Sequence, residues 1–66
     1  MTDVKMLKEK IKQSGMTMVA ISKKTGILRE TLYNRMNGVG EFTATEIVML
    51  SKVLGLSNGE RDQIFL

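Results

Sequence analysis

Arg29, Glu30, Tyr33 and Asn34 bring four different hydrogen-bonding groups close together. A guanidinium fork pairs bidentately with a guanine edge, an Asn amide pairs with adenine, and a Glu carboxylate accepts from cytosine. The Tyr33 ring suits a thymine methyl, and its hydroxyl suits a phosphate. Lys23 and Lys24 stand just before this group. Their ammonium groups suit phosphates, which position a partner without reporting its sequence. Each residue also has a plainer role. Arg29, Glu30 and the two lysines serve equally as solvated surface charges, and Tyr33 as cover for the edge of a core. Glu30, a like charge to a polyanion, can also exclude wrong sequences or orient Arg29.

Other chemistry lacks its groups. The chain has no His and no Cys. That removes the usual general base, the usual metal ligands, the thiol nucleophile and any disulfide. The seven carboxylates show no pairing that reads as an acid–base site, and no Gly-rich loop follows a strand. An enzyme is therefore not expected, and neither is a metal, a cofactor or a small-molecule ligand.

The elements that must carry Arg29 to Asn34 are short. Sixty-six residues make one small domain, residues 1–66. A chain of this size buries only about 60% of its unfolded surface. With 42% apolar residues and no Pro it reads as folded and helical. Apolar residues recur at spacings of three and four, never in a sustained alternation, so the fold class is all-α: a bundle of five short helices. The first is expected from about Asp3 to Ser14, with Val4, Leu7 and Ile11 on one face and Gly15 as its stop. The second starts after Thr17, an N-cap, and ends at Thr25–Gly26, with Ile21 in the core and the small Ser22 allowing close helix approach. The third covers about Leu28 to Asn37. Leu32 and Met36 share its inner face, Ile27 plugs the turn before it, and Asn37–Gly38 ends it.

The fourth helix carries the clearest local signature. Thr43-Ala44-Thr45-Glu46 is a capping box, and Phe42 with Ile47 is a hydrophobic staple. Ile47, Leu50 and Leu54 form its stripe, and Gly55 stops it. A second box, Ser57-Asn58-Gly59-Glu60, opens a last helix ending in Ile64-Phe65-Leu66. That apolar end either folds back on its own bundle or meets a second subunit. No stretch approaches the ~18 apolar residues of a membrane span. The Lys-interrupted start does not read as a secretory signal, so a cytoplasmic location is expected.

The net charge of +3 is unevenly placed. Residues 1–38 hold eight basic against three acidic residues, +5, and residues 39–66 hold two against four, −2. A basic first half suggests a polyanionic partner, although a solvated lysine face gives the same count.

Two helices joined by a tight Gly turn, Gly15 to Gly38, form a helix-turn-helix unit, its core at about 17–37. Its geometry braces the first helix on the DNA backbone and projects the outer face of the second into the major groove. The segment GMTMVAISKKTGILRETLYNRMNG resembles the lambda-repressor/Cro-type helix-turn-helix family, also called XRE. Met16, Thr17, Ile21, Ser22, Gly26, Ile27, Leu32, Met36, Asn37 and Gly38 fall where that family places core, cap and turn residues. The segments EFTATEI and ERDQIF look like those of small repressors of phages and integrated elements.

The resemblance implies a five-helix repressor of operator DNA, usually a homodimer on a palindromic site. It implies base contacts from Leu28, Arg29, Glu30, Tyr33 and Asn34. It implies phosphate contacts from Thr17, Met18 and Asn37. Two positions depart from the pattern. Met18 stands where a Gln often bonds phosphate, leaving backbone N–H groups for that task. Leu28 stands where Ser or Gly usually opens the recognition helix, and it cannot cap. It is left to touch a thymine methyl or to pack. Met16 and Met36 suit core filling. The apolar run Met18-Val19-Ala20 and the apolar C-terminus motivate the alternative: a protein-interaction module such as an antitoxin or antirepressor. RNA is disfavoured, since one Tyr and two Phe make a poor stacking platform. At this length the chain is expected to be all reader, with no room for a sensor.

Overall fold

Caps and glycines set the helix limits in the computed structural model, which describes residues 1–66. The elements are α1 (Val4–Ser14), α2 (Met18–Thr25), α3 (Arg29–Met36), α4 (Ala44–Leu54) and α5 (Asn58–Phe65), with no strand. Asp3 lies just outside α1, and its carboxylate accepts the Met6 N–H at 3.0 Å. The Thr17 hydroxyl accepts the Ala20 N–H at 3.1 Å. Both expected capping boxes form. Thr43 and Glu46 exchange backbone and side-chain bonds at the start of α4, and Ser57 and Glu60 do so at α5. Each satisfies two of the N–H groups that a helix start leaves over.

The third helix is one residue shorter at each end than the sequence suggests. Leu28 and Asn37 are its caps rather than its first and last residues. Leu28 makes no side-chain cap bond, so α3 alone starts without one.

Each helix sends one aliphatic residue to a common centre. Leu7, Ile21, Leu32, Leu50 and Ile64 are almost fully buried there, with Ile27, Phe42 and Phe65 around them. Burying each such side chain contributes about 1.5–3 kcal/mol. α2 packs on α4 and α3, and α1 on α4 and α5. The Phe42 and Phe65 rings meet edge-to-face, centroids 5.4 Å apart, joining the approach to α4 to the last helix.

The end of the chain resolves the choice left open by its sequence. Ile64 and Phe65 fold into their own bundle, and only Leu66 stays outside. Two further bonds tie α5 to α1. The Asp3 N–H donates to the Ile64 carbonyl at 2.6 Å, and the Lys10 ammonium pairs with the Glu60 carboxylate. That ammonium, helped by the Ser57 N–H, draws the Glu60 carboxyl from 4.5 down to about 2.

Candidate nucleic-acid interface

The turn between α2 and α3 is built by side chains of α2. Thr25 is the one buried polar residue. Its hydroxyl donates to the Ile21 carbonyl at 2.7 Å, and its oxygen accepts the Ile27 N–H at 3.2 Å. The Ser22 hydroxyl donates to the Ile27 carbonyl at 2.5 Å. Both backbone polar groups of Ile27 are thus held by α2 while its side chain is buried. Gly26, at φ 77°, lets the chain reverse in the left-handed region where other residues are strained. Together these contacts fix the angle at which α3 leaves α2.

The outer face of α3 is open. Leu32 is buried and Met36 packs against the core. Arg29, Glu30 and Tyr33 are exposed and Asn34 is half-buried. Glu30 and Asn34 lie opposite Leu32, whereas Arg29, one turn before Leu32, is open because it begins the helix. The structure therefore places four of the five expected base-contact residues on α3. Leu28, at the corner before them, is 72% exposed, which removes packing as its role. Tyr33 is 48% exposed, so its ring is available rather than sealed over the core.

The charges around this face are free. The ion pairs of the molecule are Lys10–Glu60, Arg35–Glu46 and Arg61–Asp62. Arg29, Lys23 and Lys24 belong to none of them and are exposed. Arg61 and Lys10, on the far helices, are paired internally. Arg29 thus has its fork available for an external partner without first breaking a bond.

The expected phosphate contacts divide. Thr17 caps α2, so its hydroxyl is engaged by the Ala20 N–H. The Met18 and Val19 N–H groups lie in the first turn of α2, which lacks internal acceptors and favours anions. Asn37 is exposed at the end of α3. The Met18 side chain instead packs against the core. Its place three residues before Ile21 and seven before Thr25 puts it on the buried side of α2, a periodicity already present in the sequence. Of Met18-Val19-Ala20, only Val19 is an exposed large apolar residue, so the run is not an apolar patch.

Two features of the site escape a sequence reading. One is the Ser22–Thr25 clamp on the turn, signalled only by two hydroxyl residues in the last turn of α2. The other is Arg35, which counts as a free cation in the sequence and is bound in the structure.

A buried, braced turn, an open hydrogen-bonding face on the second helix and unpaired cations beside it define a helix-turn-helix reader of nucleic acid. The helix-turn-helix family model matches residues 7–57. The chain belongs to that family, in its XRE (lambda-repressor/Cro) type, and is a DNA-binding transcription regulator. This is a regulatory rather than an enzyme family. Neither a curated protein nor a solved structure matches the chain. No helix is long and apolar enough to cross a membrane.

Proposed function

We propose that residues 1–66 act as one domain, a sequence-specific repressor of the kind carried by phages and mobile elements. It seats α3 in the major groove of an operator and occludes a promoter. The observation that carries this reading is the open face of α3. Arg29 there is exposed and unpaired beside Glu30, Tyr33 and Asn34. Arg29 reads guanine and Asn34 reads adenine. Leu28 and Tyr33 lie against thymine methyls, and Glu30 selects against wrong bases. Lys23, Lys24, Thr17, Asn37 and the amide groups at Met18 hold phosphates. The likeness of EFTATEI and ERDQIF to segments of small phage repressors supports the mobile-element origin. A cytoplasmic location belongs to the same reading.

The operator is palindromic and the protein a homodimer on it. An apolar groove away from the residues of α3 in sequence supports this. Ala44, Ile47, Val48 and Leu66 line an apolar groove between α4 and α5, closed by Arg61. Val48 and Leu66 are exposed there. A symmetric pair through this groove would present two α3 helices to half-sites about 10 base pairs apart, or a multiple of that.

A mobility-shift series against the DNA upstream of its own coding region, at rising salt, tests the proposal. Binding that favours one segment over competitor DNA and weakens with salt is expected. No binding at low salt, or equal binding to every sequence, contradicts it. The groove also accommodates the antitoxin or antirepressor reading, in which a different protein fills it. That reading expects tight heteromer formation indifferent to Arg29→Ala and Asn34→Ala.

A further inference from the structure

Arg35 lies on the DNA-reading helix but is turned away from the open face. Its guanidinium is folded over the segment Asn37–Phe42 that leads from α3 to α4. Nη1 donates to the Val39 carbonyl at 3.2 Å. Nε is buried, lacks a hydrogen-bond partner, and stands 4.0 Å from Glu46 Oε1. The same Oε1 accepts the Thr43 N–H at 2.9 Å, so one carboxylate caps α4 and faces Arg35. Gly40 lies directly against the guanidinium. A Cβ there would come within 2.6 Å of Nη1, and its φ of +74° already excludes most side chains.

The rest of the segment is held unevenly. The N–H groups of Asn37, Gly38 and Val39 bond back to Tyr33, Arg35 and Asn34. Gly40, Glu41 and Phe42 make no backbone–backbone hydrogen bond. The buried Phe42 ring and the Arg35 clamp help to fix their course.

We propose that Arg35 is a positioning residue for DNA binding and not a DNA contact: it clamps the Val39–Gly40 backbone and locks the end of α3 to the start of α4. Asn37 and the last turn of α3 are thereby held in one orientation toward the DNA backbone. This rests on the proposed role of α3, and it deepens that reading. A flexible exit from α3 adds an ordering cost to every binding event. Restoring order to one such group costs a factor of about two to ten in affinity.

The test uses Arg35→Met, which keeps the apolar stem, and Arg35→Lys, which keeps the charge but not the fork. Two quantities are read. One is the 15N relaxation order of Val39–Glu41 in the free protein. The other is DNA affinity against salt on the segment the wild type prefers. Arg35→Met is expected to mobilise Val39–Glu41 and weaken binding about two- to tenfold, leaving the slope of log K against log salt unchanged. Arg35→Lys is expected to keep the slope and fail to restore either the order or the affinity.

A slope reduced by about 0.9, as for a lost phosphate contact, overturns the proposal. So does a segment as ordered in Arg35→Met as in the wild type, or full recovery with Lys. Should Arg35→Met not fold, Arg35→Gln, which lacks the guanidinium, takes its place with the same expected losses. Wild-type protein that binds no DNA defeats the reading of α3 instead, and the relaxation arm still decides whether Arg35 clamps the segment.

Discussion

The Gly15–Gly38 region and the Thr43–Leu66 region are built on opposite terms. In the second, each helix opens with a full capping box and the acidic residues are largely spent inside the fold. Glu46 and Glu60 close the boxes, Glu60 also takes Lys10, and Asp62 takes Arg61. In the first, α3 opens on Leu28 without a side-chain cap. Its cations Lys23, Lys24 and Arg29 have no internal partner. The difference teaches where stability and recognition are kept. Helices α4 and α5 satisfy their own termini and hold the core. Helix α3 leaves its first turn and Arg29 open for a partner. The charge split of +5 and −2 takes a structural meaning: much of the negative charge of the second half is helix capping.

The largest test of this contrast is Leu50→Ala. It leaves a cavity at the centre of the core and should cost about 2–5 kcal/mol of stability by denaturant titration. DNA affinity should fall only as far as the folded fraction does. Arg29→Ala should do the reverse. It should cost about 1–3 kcal/mol in binding and relax preference at one base pair, with the unfolding midpoint nearly unmoved. If Arg29→Ala destabilises the fold instead, the two regions are not divided as described.

Smaller effects separate the helix starts. Thr43→Ala should lose about 0.5–2 kcal/mol of stability, whereas Leu28→Ser should gain up to a similar amount by supplying the missing cap. The same Leu28→Ser change should weaken DNA binding, since the exposed Leu28 side chain is lost. Thermal unfolding and mobility shift on the two variants read both outcomes.

The smallest effect is on pH. The Glu60 carboxyl is drawn from 4.5 down to about 2, chiefly by the Lys10 ammonium. A depressed carboxyl contributes stability that is complete above 4.5 and is lost as pH falls toward 2. Lys10→Met should therefore flatten part of the acid limb of a stability–pH curve between those values. No change in that limb would mean the pair is absent in solution.

Much of the fold was legible because helix starts and stops are local. Thr43 with Glu46, Ser57 with Glu60, and the glycines after α1, α2 and α4 act over three or four residues, a distance that sequence spacing reports directly. The outer face of α3 was partly legible for the same reason, since burial of Leu32 turns Glu30 and Asn34 to the opposite side. Arg29, one turn before Leu32, is open only because it begins the helix. What failed depends on the path of the chain. Whether Ile64 and Phe65 fold home or face a partner is decided by the packing of α5 on α1, not by their spacing. Arg35 reads as one more cation until the chain after α3 brings Val39, Gly40 and Glu46 around it. Met18 is a different case. Its helical spacing with Ile21 pointed inward, but the family position drew attention to the surface.

Selection of bound DNA from a random pool, run in parallel with the wild type and Arg29→Ala, tests the central claim most directly. The account predicts one enriched motif for the wild type, in inverted half-sites with centres about 10 base pairs apart or a multiple of that. For Arg29→Ala it predicts the same motif with one position in each half-site degenerate. A pool that stays random for the wild type, or one motif unchanged in both proteins, would contradict it.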